Sequence, residues 1–279
     1  RRQRQMCIRD SSKSEQQSTV IETGIADMGQ WSAAYDPAKF PLGGIAQPLF
    51  ITDKPDLTSR AGYYIWDNHP EWKEEMTKNN LWLLTSYGVG PVQVAGRTDV
   101  IQRKEDIMGK KYRATAFLGE AWAGLGGVPI NVAGSEIYTA FSQGTVEGVI
   151  LALQHLDLFK IHENATFVLG GTGFGIYSNS CSVMNLDTWK KLPADVKKVI
   201  DQTNTDMILK GRQMMAALEK KNGALLAKQA KTAKFEERGK LLAVRDKTWQ
   251  NWVNARNKEG KNGQAVLDRF LSLLKKYKS

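Results

Sequence analysis

The chain has 279 residues, of which 42% are apolar and 24% charged, with 25 Gly, 8 Pro and 2 Cys. This composition excludes collagen-like and wholly disordered chains, and two cysteines cannot form a disulfide framework. The net charge of +10 fits a nucleic-acid partner, an anionic membrane surface or a solvated, lysine-rich exterior.

The basic excess is concentrated at the N-terminus and in the last third of the chain. Residues 1–12 include four Arg, lack the apolar stretch of a signal peptide and resemble a translated adaptor sequence, so we interpret them as non-native or disordered. The later lysine pairs fall in segments of helical period, where solvated helix faces explain them. Because no zinc finger or RNA-binding motif accompanies them, we expect no nucleic-acid partner.

Candidate helices and strands alternate along the chain. After a helix over 15–22, we predict strands at 25–29, 81–85, 92–94, 111–115, 128–131, 146–151 and 177–184, and helices at 71–78, 119–126 and 135–141. Gly88, Gly90 and Pro91 are predicted to end the strand that starts at Leu81. The alternation predicts an α/β fold with substantially parallel sheets.

A long helix is predicted to start at Pro193 and to reach about residue 231. Apolar positions recur in it at helical spacing, namely Val196, Val199, Ile200, Thr203, Met207, Met214 and Leu218. Two amphipathic helices, one around Trp249 and one around Phe270, close the chain. No apolar run approaches the roughly 18 residues of a membrane-spanning helix.

Catalytic and cofactor motifs are missing from the sequence. There is no phosphate loop, nucleophile elbow or zinc motif, and the glycine run at 171–175 lacks dinucleotide-binding spacing. The three histidines are scattered, and Cys181 lies in an apolar strand, where a small core residue is the simplest interpretation. We therefore expect no cofactor and no metal. The alternative of an α/β, transferase-like enzyme acting on a small carboxylate stays open, although no strong candidate for a general base is present.

A few residues point instead to ligand recognition. Arg113 lies in a strand-like stretch, where its planar guanidinium suits a carboxylate, although a surface Arg at a strand end fits equally well. Trp31 follows a strand, where ligand-binding loops of α/β sheets sit, or is a core tryptophan. Phe174 and Tyr177 follow the glycine-rich loop and either wall a pocket or belong to the core.

Four motifs in fixed order carry a family resemblance. They are G-I-A-D-M-G with F-P-L (24–29 and 40–42), E-D-I-M-G-K-K-Y-R (105–113), S-E-I-Y-T-A continuing to G-T-V-E-G (135–148), and M-N with W and L-P (184–193). In these stretches the chain resembles the solute-binding proteins of TRAP (tripartite ATP-independent periplasmic) transporters, the DctP family. The resemblance runs from about residue 15 to the end.

The resemblance implies a two-lobed, periplasmic-binding-protein (type II-like) fold with mixed, largely parallel sheets and a long helix spanning both lobes. Lobe I would comprise 13–91 plus 177–217, and lobe II 92–176 plus 218–279. The family's signal peptide and first strand are not in the sequence. The implied function is that of a periplasmic receptor, expected to be a monomer, which closes on a small organic acid and delivers it to the membrane subunits of a TRAP permease.

The resemblance also implies a ligand site. Arg113 stands where the family has the arginine that binds the ligand carboxylate, and Gln93 stands in a G-P-V-Q loop whose Gln faces the cleft. Where many relatives carry Gln-Glu-Asn-Pro this chain has Val-Ile-Leu-Ala at 149–152, so Leu151 replaces a polar contact. With Trp31, Phe174 and Tyr177 as further walls, we expect a monocarboxylate with an apolar or aromatic body, or a bulkier 2-oxo acid.

Overall fold

The fold is seen in a computed structural model that describes residues 16–43, 55–169 and 177–277. Its helices are α1 (Gln17–Glu22), α2 (Pro55–Asn68), α3 (Pro70–Lys78), α4 (Ala116–Gly124), α5 (Ile137–Ser142), α6 (Leu153–Leu158), α7 (Leu186–Lys191), α8 (Ala194–Gln229), α9 (Arg238–Lys258) and α10 (Gly263–Lys276). Its strands are β1 (Met28–Trp31), β2 (Leu81–Gly96), β3 (Lys111–Arg113), β4 (Val128–Ile130), β5 (Gly148–Ala152), β6 (Phe167–Leu169), β7 (Tyr177–Asn185) and β8 (Lys231–Ala233). The prediction for residues 1–12 lies outside the described residues.

The strands form a mixed sheet in the order β1-β7-β2-β5-β3-β4, with β6 beside β2 and β8 beside β6. The β3–β4, β3–β5 and β6–β8 pairs are parallel. The β1–β7, β2–β7, β2–β5 and β2–β6 pairs are antiparallel. The α/β class and the mixed sheet are confirmed, but the sheet is less parallel than expected, because every described pairing of the two longest strands, β2 and β7, is antiparallel.

Strand β2 passes through the point where we predicted a strand end. Its residues from Leu81 to Pro91 pair with β7, and those from Val92 onward pair with β5 and β6. The register is irregular between Gly88 and Pro91, and a proline without an N–H is tolerated at such an interruption of the ladder. The predicted strand end is therefore wrong. The change of partners supports the proposed division of the lobes between 91 and 92.

Two further differences concern the start of β1 and a helix that was not predicted. Strand β1 begins at Met28 rather than at Ile25, whose side chain is 73% exposed, so this isoleucine does not contribute to the core. Helix α2 was not predicted. Its apolar residues Leu57, Ala61 and Ile65 are nevertheless buried at helical spacing.

The predicted long helix is confirmed as α8, which starts directly after Pro193. It contacts α2, α6 and β2. Its periodic apolar residues do not form one buried face. Val199, Met207 and Met214 are more than half exposed, whereas Ile200 packs against the buried cluster of Leu84, Met184 and Trp189.

Tyr112 packs beneath two glycines of neighbouring strands. A Cβ atom at Gly148 would overlap the ring of Tyr112 and lie 2.6 Å from the carbonyl oxygen of Ala95. A Cβ atom at Gly96 would lie 2.5 Å from the hydroxyl of Tyr112 and overlap the ring of Phe167. The close packing of β2, β3 and β5 thus requires glycine at both positions.

We expect Gly148→Ala to lower the free energy of unfolding by about 1–3 kcal/mol, the usual cost of forcing extra volume into a packed core. Gly239→Ala is the matched control, because nothing lies within 4 Å of a Cβ atom at this position in α9. The control should be neutral or more stable by about 0.5–1 kcal/mol, since alanine favours the helix. Urea denaturation measures both, and equal stabilities of the two variants would contradict the packing described for Tyr112.

A buried carboxylate ties the N-terminal part of the chain to its last helices. Glu75 in α3 accepts hydrogen bonds from the backbone N–H of Leu42, at 3.0 and 3.1 Å, and of Gly43, at 3.2 Å. Lys261, between α9 and α10, pairs with the same carboxylate at 3.0 Å. The indole N–H of Trp252 in α9 donates to the carbonyl oxygen of Pro41 at 3.0 Å. These contacts hold the 41–43 loop against the C-terminal helices.

Candidate functional site

Arg113 is the last residue of β3, and its side chain is only 5% exposed. Its Nε–H donates to the carbonyl oxygen of Val132 at 3.3 Å. It lies in register with Val149 of β5 on one side and with Ile130 of β4 on the other. The interpretation of Arg113 as a surface arginine is therefore wrong, and its guanidinium is held inside the protein.

Gln93 and Leu151 lie on the same face of the sheet as Arg113. Gln93 of β2 is directly opposite Leu151 of β5, and Arg113 is in register with Val149, two residues before Leu151. Paired residues share a face, and so do residues two apart in one strand. The structure therefore brings together three of the predicted site residues, all of them buried.

The surroundings of this face are apolar. Leu151 and Val149 belong to a buried cluster with Ala95 and Val132, which continues to Ile137 and Phe141 of α5. In such a medium, charge-assisted hydrogen bonds are stronger than in water. The arrangement offers a cation and an amide beside aliphatic side chains, which suits a carboxylate attached to an apolar body. Sequence reasoning missed Val132 and Val149, although strand alternation from Leu151 would have reached Val149.

Trp31 lies in the other half of the sheet. It is in register with Cys181, which lies opposite Ser86, and its ring packs edge-on against Phe40 with centroids 4.4 Å apart. Trp31 and Cys181 belong to the main core, and they line a narrow cavity with the side chains of Trp72 and Met76. Burial raises the pKa of the Cys181 thiol to about 12, so this cysteine is an unreactive core residue. No described contact joins Trp31 to Arg113.

The last two predicted site residues are only partly described. The backbone of Tyr177 begins β7 opposite Pro91, where β2 changes partners. Its side chain and the whole of Phe174 lie outside the described residues.

A separate groove of about 930 Å³ lies between α4 and α9 and is bounded by Pro37 and Ala38. Several of its cations already have partners within the protein: Lys240 pairs with Glu105 and Glu237, and Arg256 pairs with Glu259. None of the predicted site residues lines it. Helix α4 also contacts the turn Ala33–Tyr35 here.

Metal ligation and membrane insertion find no support in the described parts of the chain. Among residues 16–43, 55–169 and 177–277, no three His, Cys, Asp or Glu side chains are placed to share a metal ion. Within the same residues, each helix is too short or too polar to cross a bilayer.

The sequence profile of the family described as "Bacterial extracellular solute-binding protein, family 7" (DctP) matches residues 10–257.

The chain belongs to the DctP family. The resemblance found in the sequence is confirmed, and the chain is a solute-binding receptor rather than an enzyme.

Solved structures of other TRAP solute-binding proteins share the fold of this DctP receptor. A marine metagenome protein specific for aromatic acid ligands, bound to metahydroxyphenylacetate, has a TM-score of 0.86 at 21% identity, over 96% of this chain and 85% of its own. A Rhodoferax ferrireducens protein with copurified benzoate has a TM-score of 0.85 at 22% identity, over 96% and 84%. A Bordetella bronchiseptica protein with bound mandelate has a TM-score of 0.84 at 18% identity, over 95% and 85%.

The motifs that identify this DctP receptor are largely structural. The side-chain oxygen of Asn185 caps α7 by accepting the N–H groups of Asp187 and Thr188, both at 3.0 Å. Trp189 stacks on Trp82 with centroids 5.2 Å apart. Asp106 accepts two backbone N–H groups, of Gln102 and Arg103, which lower the pKa of its carboxyl group. These residues build the family fold and carry no information about the ligand.

Proposed function

We propose that this receptor binds a small monocarboxylate with an apolar or aromatic body. Arg113 holds the carboxylate, Gln93 contributes an amide, and Leu151 forms an apolar wall. The observation that carries the proposal is the shared, apolar face on which these three buried residues lie. Phe174 and Tyr177 are proposed as further ligand contacts, as the sequence suggests, whereas Trp31 packs in the main core.

Burial energetics favour an apolar ligand over a sugar acid. A sugar acid carries several hydroxyl groups, and each one buried without a hydrogen-bond partner costs free energy. Leu151, Val149 and Val132 offer no side-chain partner for a hydroxyl group. The structural relatives bound to metahydroxyphenylacetate, benzoate and mandelate support the same choice, although proteins of the same fold also bind galacturonate and glucuronate.

The receptor is proposed to act in the periplasm and to deliver its ligand to the membrane subunits of a TRAP permease. The lobes would close around the acid by a hinge motion. Strand β2 belongs to both half-sheets, and α8 contacts elements of both lobes, so these two elements are the proposed hinge. No covalent step is involved.

A ligand panel tests the proposal. We expect benzoate, 3-hydroxybenzoate, mandelate or phenylpyruvate to raise the melting temperature, with a stabilisation of about 2.7 kcal/mol at 100 times the dissociation constant. Benzamide is the matched control: it keeps the ring but lacks the carboxylate, so it should produce no shift. Calorimetric titration then gives the affinity of each acid that shifts the melting temperature. Stabilisation by glucuronate or galacturonate alone would contradict the apolar site.

A further inference from the structure

Gln93 is a buried polar side chain without a protein partner. It is 6% exposed, and within the described part of the chain its amide group makes no hydrogen bond. Side-chain polar groups buried to this degree normally have a partner, because leaving one unpaired costs free energy. The neighbours of Gln93 on its face of the sheet, Leu151, Val149 and Ala95, are apolar and cannot supply one. The remaining partners are water or a bound ligand.

Gln93 and Arg113 lie near the same edge of the sheet. Gln93 is the second residue of β2 that pairs with β5, next to the point where β2 changes partners, and Arg113 is the last residue of β3. An acid whose carboxylate contacts Arg113 therefore places its body close to the amide group of Gln93. If that body displaces water from the amide group, it loses affinity unless it supplies the same hydrogen bonds.

The two side chains start from opposite sides of β5. With neighbouring strands about 4.8 Å apart and an offset of two residues, the Cα atoms of Gln93 and Arg113 are about 12 Å apart. The Nε–H of Arg113 bonds the carbonyl oxygen of Val132, two residues beyond β4, which holds the guanidinium on the side away from β2. Two hydrogen bonds span only about 6 Å of this gap. The rest is comparable to the width of an aromatic ring, so a polar group directly beside the carboxylate falls short of Gln93.

We propose that the receptor selects aromatic acids with one hydroxyl group on the ring, remote from the carboxylate, and that Gln93 recognises this hydroxyl. A hydroxyl group donates one hydrogen bond and accepts others, and the amide group of Gln93 offers both an acceptor and donors. One amide group on an apolar face matches one hydroxyl, whereas a sugar acid carries more hydroxyls than this face can pair. The inference rests on the proposed function, because it takes the contact between Arg113 and the carboxylate as given.

Calorimetric titration of the wild type with 3- and 4-hydroxybenzoate and with the corresponding methylbenzoates tests the selection. The methyl group is the matched control, since it fills a similar space but makes no hydrogen bond. The better of the two hydroxybenzoates should bind at least about tenfold more tightly than its methyl counterpart, because the methyl group leaves the buried amide unpaired. Equal or tighter binding of the methylbenzoates overturns the proposal and leaves the proposed function intact.

The variant Gln93→Leu assigns the preference to its residue. It should bind the preferred hydroxybenzoate at least about tenfold more weakly than the wild type and the methylbenzoates at least as tightly, so the preference disappears. Gln143→Leu, at an exposed position after α5, is the matched control and should keep the wild-type preference. A preference for the hydroxyl that survives Gln93→Leu overturns the assignment. If instead no benzoate binds the wild type, or Arg113→Ala binds all of them unchanged, the proposed function fails and this inference fails with it.

Discussion

The Arg113→Ala variant is expected to bind an aromatic monocarboxylate at least about 100-fold more weakly than the wild type, because a charge-assisted, two-point contact in an apolar medium is lost. Arg113→Lys keeps the positive charge but loses the planar fork, and a reduction of about tenfold is expected. Calorimetric titration with the strongest ligand of the panel measures both. Neutral benzamide gives the reference for binding without a carboxylate.

Arg103→Ala is the matched control for loss of an arginine from the same lobe. Its guanidinium is 66% exposed and pairs with Glu236 at 3.0 Å, and this variant should bind like the wild type. Circular dichroism and the ligand-free melting temperature establish that each variant is folded. If folded Arg113→Ala retains wild-type affinity, the assignment of Arg113 is wrong. If the alanine variant does not fold, the lysine variant decides.

The second large effect is expected at Glu75. Replacing it by alanine leaves the N–H groups of Leu42 and Gly43 without their acceptor and Lys261 without its partner. We expect a loss of about 3 kcal/mol, below the usual value for breaking a fully buried ion pair because Lys261 is partly exposed. For a chain of this size the melting temperature should fall by about 6–12 °C.

Two comparisons sharpen this prediction. Glu74→Ala, one position away on the exposed side of α3, removes a surface pair with Lys78 and should leave the melting temperature unchanged. Burial raises the pKa of Glu75, so the folded protein binds a proton at this group more tightly than the unfolded chain does. The stabilisation from this tighter proton binding is complete below pH 4.5, the ordinary pKa of a glutamate, and disappears as the pH rises through the raised pKa of Glu75. Over this pH interval the wild type should therefore lose stability relative to Glu75→Gln. Equal stability of Glu74→Ala and Glu75→Ala would refute the role of the buried carboxylate.

Local sequence signals predicted most of the elements but not their continuity. Pro193 and the acidic first turn of α8 are chemical start signals, and they located the helix start to within one residue. Pro91 is an equally clear signal for a strand end, yet β2 continues through it. The deciding factor is the irregular pairing with β7, whose residues lie more than 80 positions away in sequence. Such long-range contacts are invisible to a reading of neighbouring residues.

The exposed apolar residues of α8 show a second limit of predictions made from hydrophobic periodicity. Spacing identifies the residues that share one side of a helix, but it does not tell which side faces the protein. Val199, Met207 and Met214 have the spacing of a core-facing set and nevertheless lie in solvent. An apolar side that the fold leaves uncovered has the same sequence pattern as one that the fold buries.

For the candidate site, family motifs gave the position of Arg113, and strand register supplied its neighbours. The placement of Gln93 opposite Leu151 depends on the pairing of β2 with β5, which no local pattern encodes. Trp31 is an aromatic residue of the kind that often lines ligand sites, but it packs as a core residue, with Phe40 against its ring. The identity of the acid depends on the contacts of a few side chains, whereas the family motifs report on the fold.

Strand β7 lies between β1 and β2, although it is made long after both. The side chain of Gln30, near the end of β1, donates a hydrogen bond to the hydroxyl of Ser180 in β7, 150 residues later in the sequence. The carbonyl oxygen of Pro41 accepts a hydrogen bond from Trp252, 211 residues later. During synthesis, β1 emerges from the ribosome well before β7, its strand partner in the described residues. The 41–43 loop likewise emerges well before α9, which it contacts in the folded protein. The part of the sheet that contains β1 and the 41–43 loop therefore completes its contacts only near the end of translation.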